Sequence, residues 1–345
     1  MFKHLCLALG LLMLLAGCDR QPPLVQQESY VFGTRVEILV ADLPEPQARE
    51  AAGAVLREFD RLHRTYHAWQ ASELSALNAA LAAGRTHLAT PEMLAFVREA
   101  KELAQLSGYR FDPGIGRLIA LWGFHADEFK AALPDAAAID AWRQHPASIA
   151  DIDIEADRIS SRNPKVALDF GGYLKGVALD LAAARLRAAG VRNALINIGG
   201  NVMALGDKHG KPWRVGIQHP RQPGAIATLE LRDGEAIGTS GDYQRYFELN
   251  GRRYSHLLDP ATAEPVTHTQ AVTVLMPPGP KAGTLSDALS KPIFIAGPAH
   301  WQEAARQVGA TQVLRIDPEG RIEVTAALQA RLTFLGKPAH LSVVP

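Results

Sequence analysis

A long series of short apolar segments in the middle of the chain constrains the fold most. Between residues 152 and 275 these segments are too short for helices and rich in the residue types that favour strands. The predicted strands cover residues 30–40, 152–154, 159–161, 166–170, 194–198, 213–218, 227–231, 236–239, 246–249, 271–275, 312–316 and 322–325. The predicted helices cover residues 47–63, 72–82, 91–107, 131–144, 177–189, 285–295 and 300–308. Since strands and helices are segregated, we predict an α+β fold, a single unit of mixed β-sheet with helical clusters in one or two lobes.

The first residues are typical of a bacterial lipoprotein. Lys3 and His4 form a short basic region, and the apolar run over residues 5–15 is shorter than the ~20 residues that span a membrane. The sequence Leu-Ala-Gly-Cys ending at Cys18 resembles a lipobox. We predict a signal peptide over residues 1–17, lipidation of Cys18, a tether over residues 18–29 and a folded domain over residues 30–345. An ordinary signal peptide with a chance cysteine is the alternative.

Composition excludes several classes of function. Lys and Arg total 36, as do Asp and Glu, and no basic cluster interleaved with aromatic residues occurs, which argues against nucleic-acid binding. Both cysteines, Cys6 and Cys18, lie at or before the expected lipidation point. A cysteine nucleophile, a cysteine-ligated zinc and a disulfide are therefore excluded for the predicted domain.

The segment from Leu168 to Gly176 combines Asp169, a glycine pair and Lys175 between a predicted strand and a predicted helix. Glycines allow a ligand to approach the backbone, and the unpaired N–H groups at a helix N-terminus favour anions. Lys175 adds a mobile positive charge. This pattern indicates a site for a phosphate or diphosphate, although a simple packing turn has the same local sequence.

Four further segments carry polar residues in turn-rich settings, each with a structural alternative. Asp112 precedes a proline and would take a ligand hydroxyl or form an Asx turn. Ser240–Tyr243 and His256 follow predicted strands and would face a ligand or form turns. Asp287 would bind a hard cation or form an i,i+4 ion pair with Lys291.

Taken in order, these segments resemble the ApbE family of periplasmic FAD:protein FMN transferases, from about Tyr30 to about Thr325. The matching segments are Phe32-Gly33-Thr34, Ser72 to Asn78, Phe111-Asp112-Pro113, Asp169 to Gly176, Asn197 to Gly200, Ser240 to Tyr243, His256 to Pro260 and Asp287 to Ser290.

The resemblance implies specific site residues. The positions matched to FAD contacts are Phe32, Trp69, Arg110, Phe111, Asp112, Asp169, Lys175 and Leu257. The resemblance implies that an aromatic residue in the segment from Tyr66 to Trp69 stacks on the isoalloxazine ring, and we take it to be Trp69. The positions matched to magnesium ligands are the Gly172 carbonyl and Asp287.

Two positions depart from the family pattern. Lys291 replaces a threonine that helps hold magnesium in the family, and a protonated lysine has no lone pair for a metal. Three outcomes are open: Ser290 supplies the missing oxygen, the metal site is weakened, or the Lys291 ammonium replaces one cation. Gly114 also stands where threonine is common.

The implied reaction is Mg²⁺-dependent transfer of FMN from FAD to a threonine hydroxyl of a partner protein, with release of AMP. Asp287, Lys175 and His256 would be the catalytic residues, with Asp259 as an alternative proton acceptor. The implied partners are flavin subunits of membrane respiratory complexes, reached from the periplasmic side of the inner membrane. The alternatives are a non-catalytic periplasmic FAD-binding or flavin-delivery protein and a Mg²⁺-dependent FAD pyrophosphatase.

Overall fold

A computed structural model describes residues 23–126 and 130–345. Its helices are α1 (Glu45–Thr65), α2 (Glu73–Ala82), α3 (Pro91–Leu106), α4 (Gly116–Leu121), α5 (Ala136–Gln144), α6 (Leu174–Ala188), α7 (Ala282–Gln307) and α8 (Ala326–Gln329), with a 3₁₀ turn at Ile149–Asp151. The strands before α6 are β1 (Val25–Val31), β2 (Thr34–Val40), β3 (His87–Leu88), β4 (Ile152–Glu155) and β5 (Arg158–Ser161). Those between α6 and α7 are β6 (Ala194–Ile198), β7 (Asn201–Leu205), β8 (Trp213–Gln218), β9 (Ala225–Leu231), β10 (Ala236–Gly241), β11 (Tyr246–Leu249), β12 (Arg252–Ser255), β13 (Leu258–Asp259), β14 (Glu264–Pro265) and β15 (Ala271–Met276). After α7 come β16 (Val313–Ile316), β17 (Ile322–Thr325), β18 (Thr333–Phe334) and β19 (Leu341–Val344).

A nine-stranded sheet organises the structure, in the order β1-β2-β6-β7-β10-β15-β16-β17-β19. Neighbouring strands in it are antiparallel except β17 and β19, which are parallel. Smaller sheets have the orders β18-β9-β8 and β3-β5-β4, and β11-β12 and β13-β14 form hairpins. The predicted α+β class with a mixed sheet is confirmed.

The large sheet is covered on both faces. Helices α1, α6 and α7 pack together on one face and enclose the main hydrophobic core. The small sheet β18-β9-β8 covers part of the other face, where a second core includes Trp213, Leu229, Ile237 and Leu314. Strands buried on both faces are apolar at nearly every position, as in β7 and β15.

The first hairpin begins earlier than the alternation from Tyr30 predicts. Strand β1 starts at Val25 and pairs with β2 along its length, so residues 25–29 of the expected tether belong to the sheet. The predicted signal peptide and Cys18 lie outside the described residues. Within the part of the chain that the structure describes, no helix is both long and apolar enough to cross a bilayer.

The strand predicted over residues 166–170 is absent, and this prediction was wrong. Only Ala167 forms a bridge there, to Ile115. The Asn78 side-chain amide forms hydrogen bonds with the N–H and the carbonyl of Leu168, at 2.7 and 2.9 Å. The Asp169 N–H donates to the Pro113 carbonyl at 2.8 Å. A side chain and a loop thus satisfy backbone groups that a neighbouring strand would otherwise pair.

The predicted helices are present with shifted ends. Helix α5 begins at Ala136 rather than at residue 131, because Asp135 caps it through the Ala137 N–H. The two helices predicted near the C-terminus form the two halves of α7, which bends at Gly297, where φ is +73°. Pro298 follows and cannot continue the hydrogen-bond ladder, which accounts for the bend.

Helices α6 and α7 cross with their backbones in contact. A Cβ atom on Gly176 would lie 2.7 Å from Thr284 Cα, and one on Gly283 would lie 2.7 Å from Leu179 Cβ. Asp180 of α6 caps the start of α7, accepting from the N–H groups of Gly283 and Thr284 at 2.8 Å each. The crossing fixes the position of α7 relative to the turn that precedes α6.

Replacing Gly176 with alanine should therefore destabilise the fold by about 1–3 kcal/mol, because an added methyl group has no space at this crossing. Urea denaturation would measure the change. The control is Gly53→Ala in α1, where the new methyl group would meet only ordinary contacts at 3.4 Å or more. Because alanine favours a helix interior more than glycine does, the free energy of unfolding of this control should rise by up to about 1 kcal/mol. Equal stability of the Gly176→Ala variant and the wild type would contradict the close crossing.

Candidate active site

One cleft gathers the residues that the sequence singled out. It is lined by the β1–β2 turn, the end of α1, the loop around Asp112, the turn that leads into α6, the end of β10 and residues 256–258. The predicted residues on its wall are Phe32, Trp69, Arg110, Phe111, Asp112, Asp169, Gly172, Lys175, His256 and Leu257. Asp287 is buried behind the wall and reaches it through Lys291, which lines the cleft.

Aromatic side chains form one end of the cleft. Phe32 and Gly33 make the two-residue turn between β1 and β2, with φ of +57° and +68°. The Phe32 ring lies 5.7 Å from His63, His63 lies 5.0 Å from His67, and His67 lies 5.2 Å from Trp69. A phenylalanine in the left-handed region is strained, so the turn places an aromatic ring in the cleft at a cost in conformational energy.

The loop after Arg110 is held by the carboxylate of Asp112. Its Oδ1 atom accepts from the N–H groups of Gly114 at 2.7 Å and Ile149 at 2.9 Å, while burial raises the pKa of Asp112. Asp112 thus forms the Asx turn that the sequence offered as one alternative, and it also lies on the cleft wall. The close packing of this loop accounts for glycine at position 114, because a Cβ atom there would collide with the backbone of Ile149.

The turn from Asp169 to Gly176 differs from the expected open anion site. Asp169 Oδ1 accepts from the Gly171 N–H at 2.8 Å, and Asp287 Oδ2 accepts from the Gly176 N–H at 3.0 Å. The expectation that these N–H groups are available to a ligand is therefore wrong for Gly171 and Gly176. Burial raises the pKa of Asp169, and Lys175 stands half-buried on the cleft wall.

The Asp287 carboxylate, expected to bind magnesium, contacts an ammonium group instead. Lys291 Nζ donates to the Asp287 side chain at Oδ1 and to its carbonyl at 2.8 Å. Ser290 Oγ donates to the same carbonyl and lies 2.7 Å from Ser240 Oγ. Among residues 23–126 and 130–345, no group of three or more His, Cys, Asp or Glu side chains forms a metal site. This donor set, as arranged, does not fit a magnesium ion.

His256 is a weak base in this setting. Burial and the charges of Arg245 and Lys175 lower the pKa of His256 to about 3. Its Nδ1 atom lies 3.1 Å from the Arg245 carbonyl oxygen, which assigns the proton to Nδ1 and leaves Nε2 as an acceptor. Asp259 is not on the cleft wall and accepts from the Ala261 N–H instead.

Several residues of the cleft escaped the sequence analysis. The Arg245 guanidinium lies 5.6 Å from the centre of the Trp69 ring, and His63 closes the wall at the end of α1. Arg245 lies two residues after the Ser240–Tyr243 segment. Extending that segment by two residues would have found Arg245 from the sequence. Within that segment, Asp242 instead forms a bidentate ion pair with Arg221, at 2.6 and 2.7 Å.

If Trp69 stacks on a flavin, Trp69→Ala should weaken FAD binding by roughly 10- to 100-fold, because stacking on an aromatic side chain stabilises a base by about 1–3 kcal/mol. Titration calorimetry would measure the loss. Trp69→Phe, which keeps an aromatic face, is the matched control and should retain most of the affinity. Unchanged binding by the alanine variant would remove Trp69 from the flavin site.

Known proteins share both this sequence and this fold. The sequence profile of the ApbE family matches residues 32–314. A Rhodobacter capsulatus protein named FAD:protein FMN transferase is 41% identical over 98% of this chain, which spans 65% of that protein's length. A Vibrio cholerae protein of the same name is 30% identical over 86% of this chain and 88% of its own.

Solved structures agree. The ApbE protein of Thermotoga maritima superimposes with a TM-score of 0.82 at 28% identity, covering 90% of this chain and 99% of its own. The flavinyl transferase ApbE of Pseudomonas stutzeri, in its apo form, gives 0.78 at 29% identity, with 91% and 98% covered. The chain thus belongs to the ApbE family, and the relatives that it matches are flavin transferase enzymes.

Proposed function

We propose that this chain transfers the FMN moiety of FAD to a threonine hydroxyl of a partner flavoprotein and releases AMP. The observation that carries the proposal is the composition of one cleft, which joins a row of aromatic rings to a cluster of cationic side chains. In FAD the flavin ring would bind the aromatic surface and the diphosphate would bind the cationic surface, so the two surfaces must lie side by side. The names of the matched relatives support the same chemistry.

The cationic end suits a diphosphate. Lys175, Arg245 and Lys291 line the cleft, and Arg110 stands on the loop beside them. Lys175 and Lys291 are close enough that the charge of Lys175 helps to lower the pKa of Lys291, although burial is the larger cause. The Asp287 carboxylate offsets one of these two positive charges, and a diphosphate would offset the other.

The reaction balances as a substitution at phosphorus. The acceptor hydroxyl oxygen forms a bond to the FMN-side phosphorus, and the bond from that phosphorus to the bridging oxygen breaks. AMP leaves with the electron pair, and the hydroxyl proton passes to water. Such a transfer depends on positioning and charge neutralisation more than on covalent help.

In this proposal the residues of the chain have separate tasks. Trp69 and Phe32 orient the flavin, while Lys175 and Arg245 neutralise charge on the phosphates. His256 remains neutral and accepts a hydrogen bond through Nε2, since its low pKa prevents it from holding a second ring proton. Asp287 acts from behind the wall by positioning Lys291.

The location and partners are further parts of the proposal. A lipid on Cys18 would hold the domain at the periplasmic face of the inner membrane, close to flavin subunits of respiratory complexes. Magnesium would add charge neutralisation if it bound near the diphosphate, but the donor set around Asp287 does not fit it, and no step here depends on it.

The expected result with FAD and an acceptor domain bearing the threonine is an acceptor heavier by one FMN residue, with an equal amount of AMP. Intact-mass spectrometry and nucleotide chromatography measure the two products. Lys175→Met should slow transfer by roughly 10- to 100-fold, because a charge-assisted hydrogen bond contributes about 1.5–3 kcal/mol.

The matched control is Lys165→Met, since Lys165 lies outside the cleft. Free FMN with AMP and an unlabelled acceptor would mean that the chain is an FAD pyrophosphatase. Intact FAD bound to the protein, with no products, would leave a flavin-binding protein.

A further inference from the structure

The site expected to hold a metal already contains a cation of the chain itself. Lys291 lies one turn after Asp287 on α7, so its side chain folds back over the Asp287 carboxylate and carbonyl. Its Cε atom lies 3.7 Å from the position that a Cβ atom on Gly172 would occupy. The side chain thus passes beside Gly172, and its ammonium group binds Asp287; the family resemblance assigns both of these residues to magnesium.

The oxygen atoms around this position are already engaged. Asp287 Oδ2 accepts from the Gly176 N–H at 3.0 Å, and the Asp287 carbonyl also accepts from Ser290 Oγ at 2.7 Å. The Ser290 hydroxyl is further paired with Ser240. Mg²⁺ requires near-octahedral oxygen ligands at about 2.1 Å. It would have to break these bonds and accept a neighbouring ammonium in a poorly solvated site.

The ammonium retains one donor for a ligand. A protonated lysine has three N–H donors, and Asp287 uses two of those of Lys291. The side chain is 13% exposed and lines the cleft, so a ligand in the cleft can reach its remaining N–H group.

On this geometry, and resting on the proposed function, we propose that Lys291 is the resident cation of the Asp287 site. Its free N–H donates to a phosphate oxygen of FAD, so that FMN transfer by this chain requires no divalent metal at Asp287. Lys291 keeps its proton throughout, and the bonds that form and break at phosphorus are those given above.

The test compares transfer with excess chelator and with excess Mg²⁺. The wild type should transfer FMN at the same rate in both. Lys291→Met, which keeps the length but loses the charge, should be roughly 10- to 100-fold slower in both. Lys291→Thr should be inactive with chelator and regain transfer with Mg²⁺, because it removes the ammonium and supplies an oxygen ligand. Lys281→Met, at the exposed start of α7, is the control and should match the wild type.

A second readout does not depend on transfer. With FAD bound, Mn²⁺ titration followed by electron paramagnetic resonance should show no tightly bound ion in the wild type and one in Lys291→Thr. Loss of wild-type transfer in chelator with recovery in Mg²⁺, or a bound Mn²⁺ that Asp287→Asn removes, would overturn the proposal. Absence of transfer under every condition would count against the proposed function, while the Mn²⁺ titration would still decide the role of Lys291.

Discussion

The site depends on the contact between α6 and α7, where Gly176 and Gly283 bring two helix backbones together. This crossing carries the Gly176 N–H to the Asp287 carboxylate and sets Lys291 beside Gly172. The Asp180 cap fixes where α7 begins, and the large sheet supports both helices from below. The turn before α6 and the first half of α7 are therefore held together, even though Gly176 and Asp287 are 111 residues apart in the sequence.

The remaining parts of the cleft are attached to this unit by backbone pairing. The Asp112 loop pairs with the segment that leads to Asp169, and the β1–β2 turn projects Phe32 from the first hairpin of the same sheet. The functional side chains thus lie on short connections, as Phe32, Asp112 and Asp169 do, or on the packed helices α6 and α7, as Lys175 and Lys291 do. Such a framework can hold an aromatic surface and a cationic surface in a fixed relation, which a flavin dinucleotide requires.

Much of this arrangement could be predicted from the sequence. Periodicity predicted most of the helices and strands, and the resemblance to the ApbE family assigned Asp112, Asp169, Lys175 and His256 to one site. The strand over residues 166–170 was wrong because its pairing is supplied by the Asn78 side chain, which no local pattern reveals. The i,i+4 spacing of Asp287 and Lys291 predicted their ion pair as one alternative, but only the three-dimensional structure places that pair against Gly172.

In the proposed function, an ammonium group of this chain, and not a metal, contacts the diphosphate of bound FAD at Asp287. The most direct measurement is a crystal structure of the protein with FAD, grown with Mn²⁺ and recorded at a wavelength where manganese scatters anomalously. We expect the diphosphate within hydrogen-bonding distance of Lys291 Nζ and no anomalous peak at Asp287. A manganese peak bound to Asp287, with Lys291 turned away from it, would contradict the account.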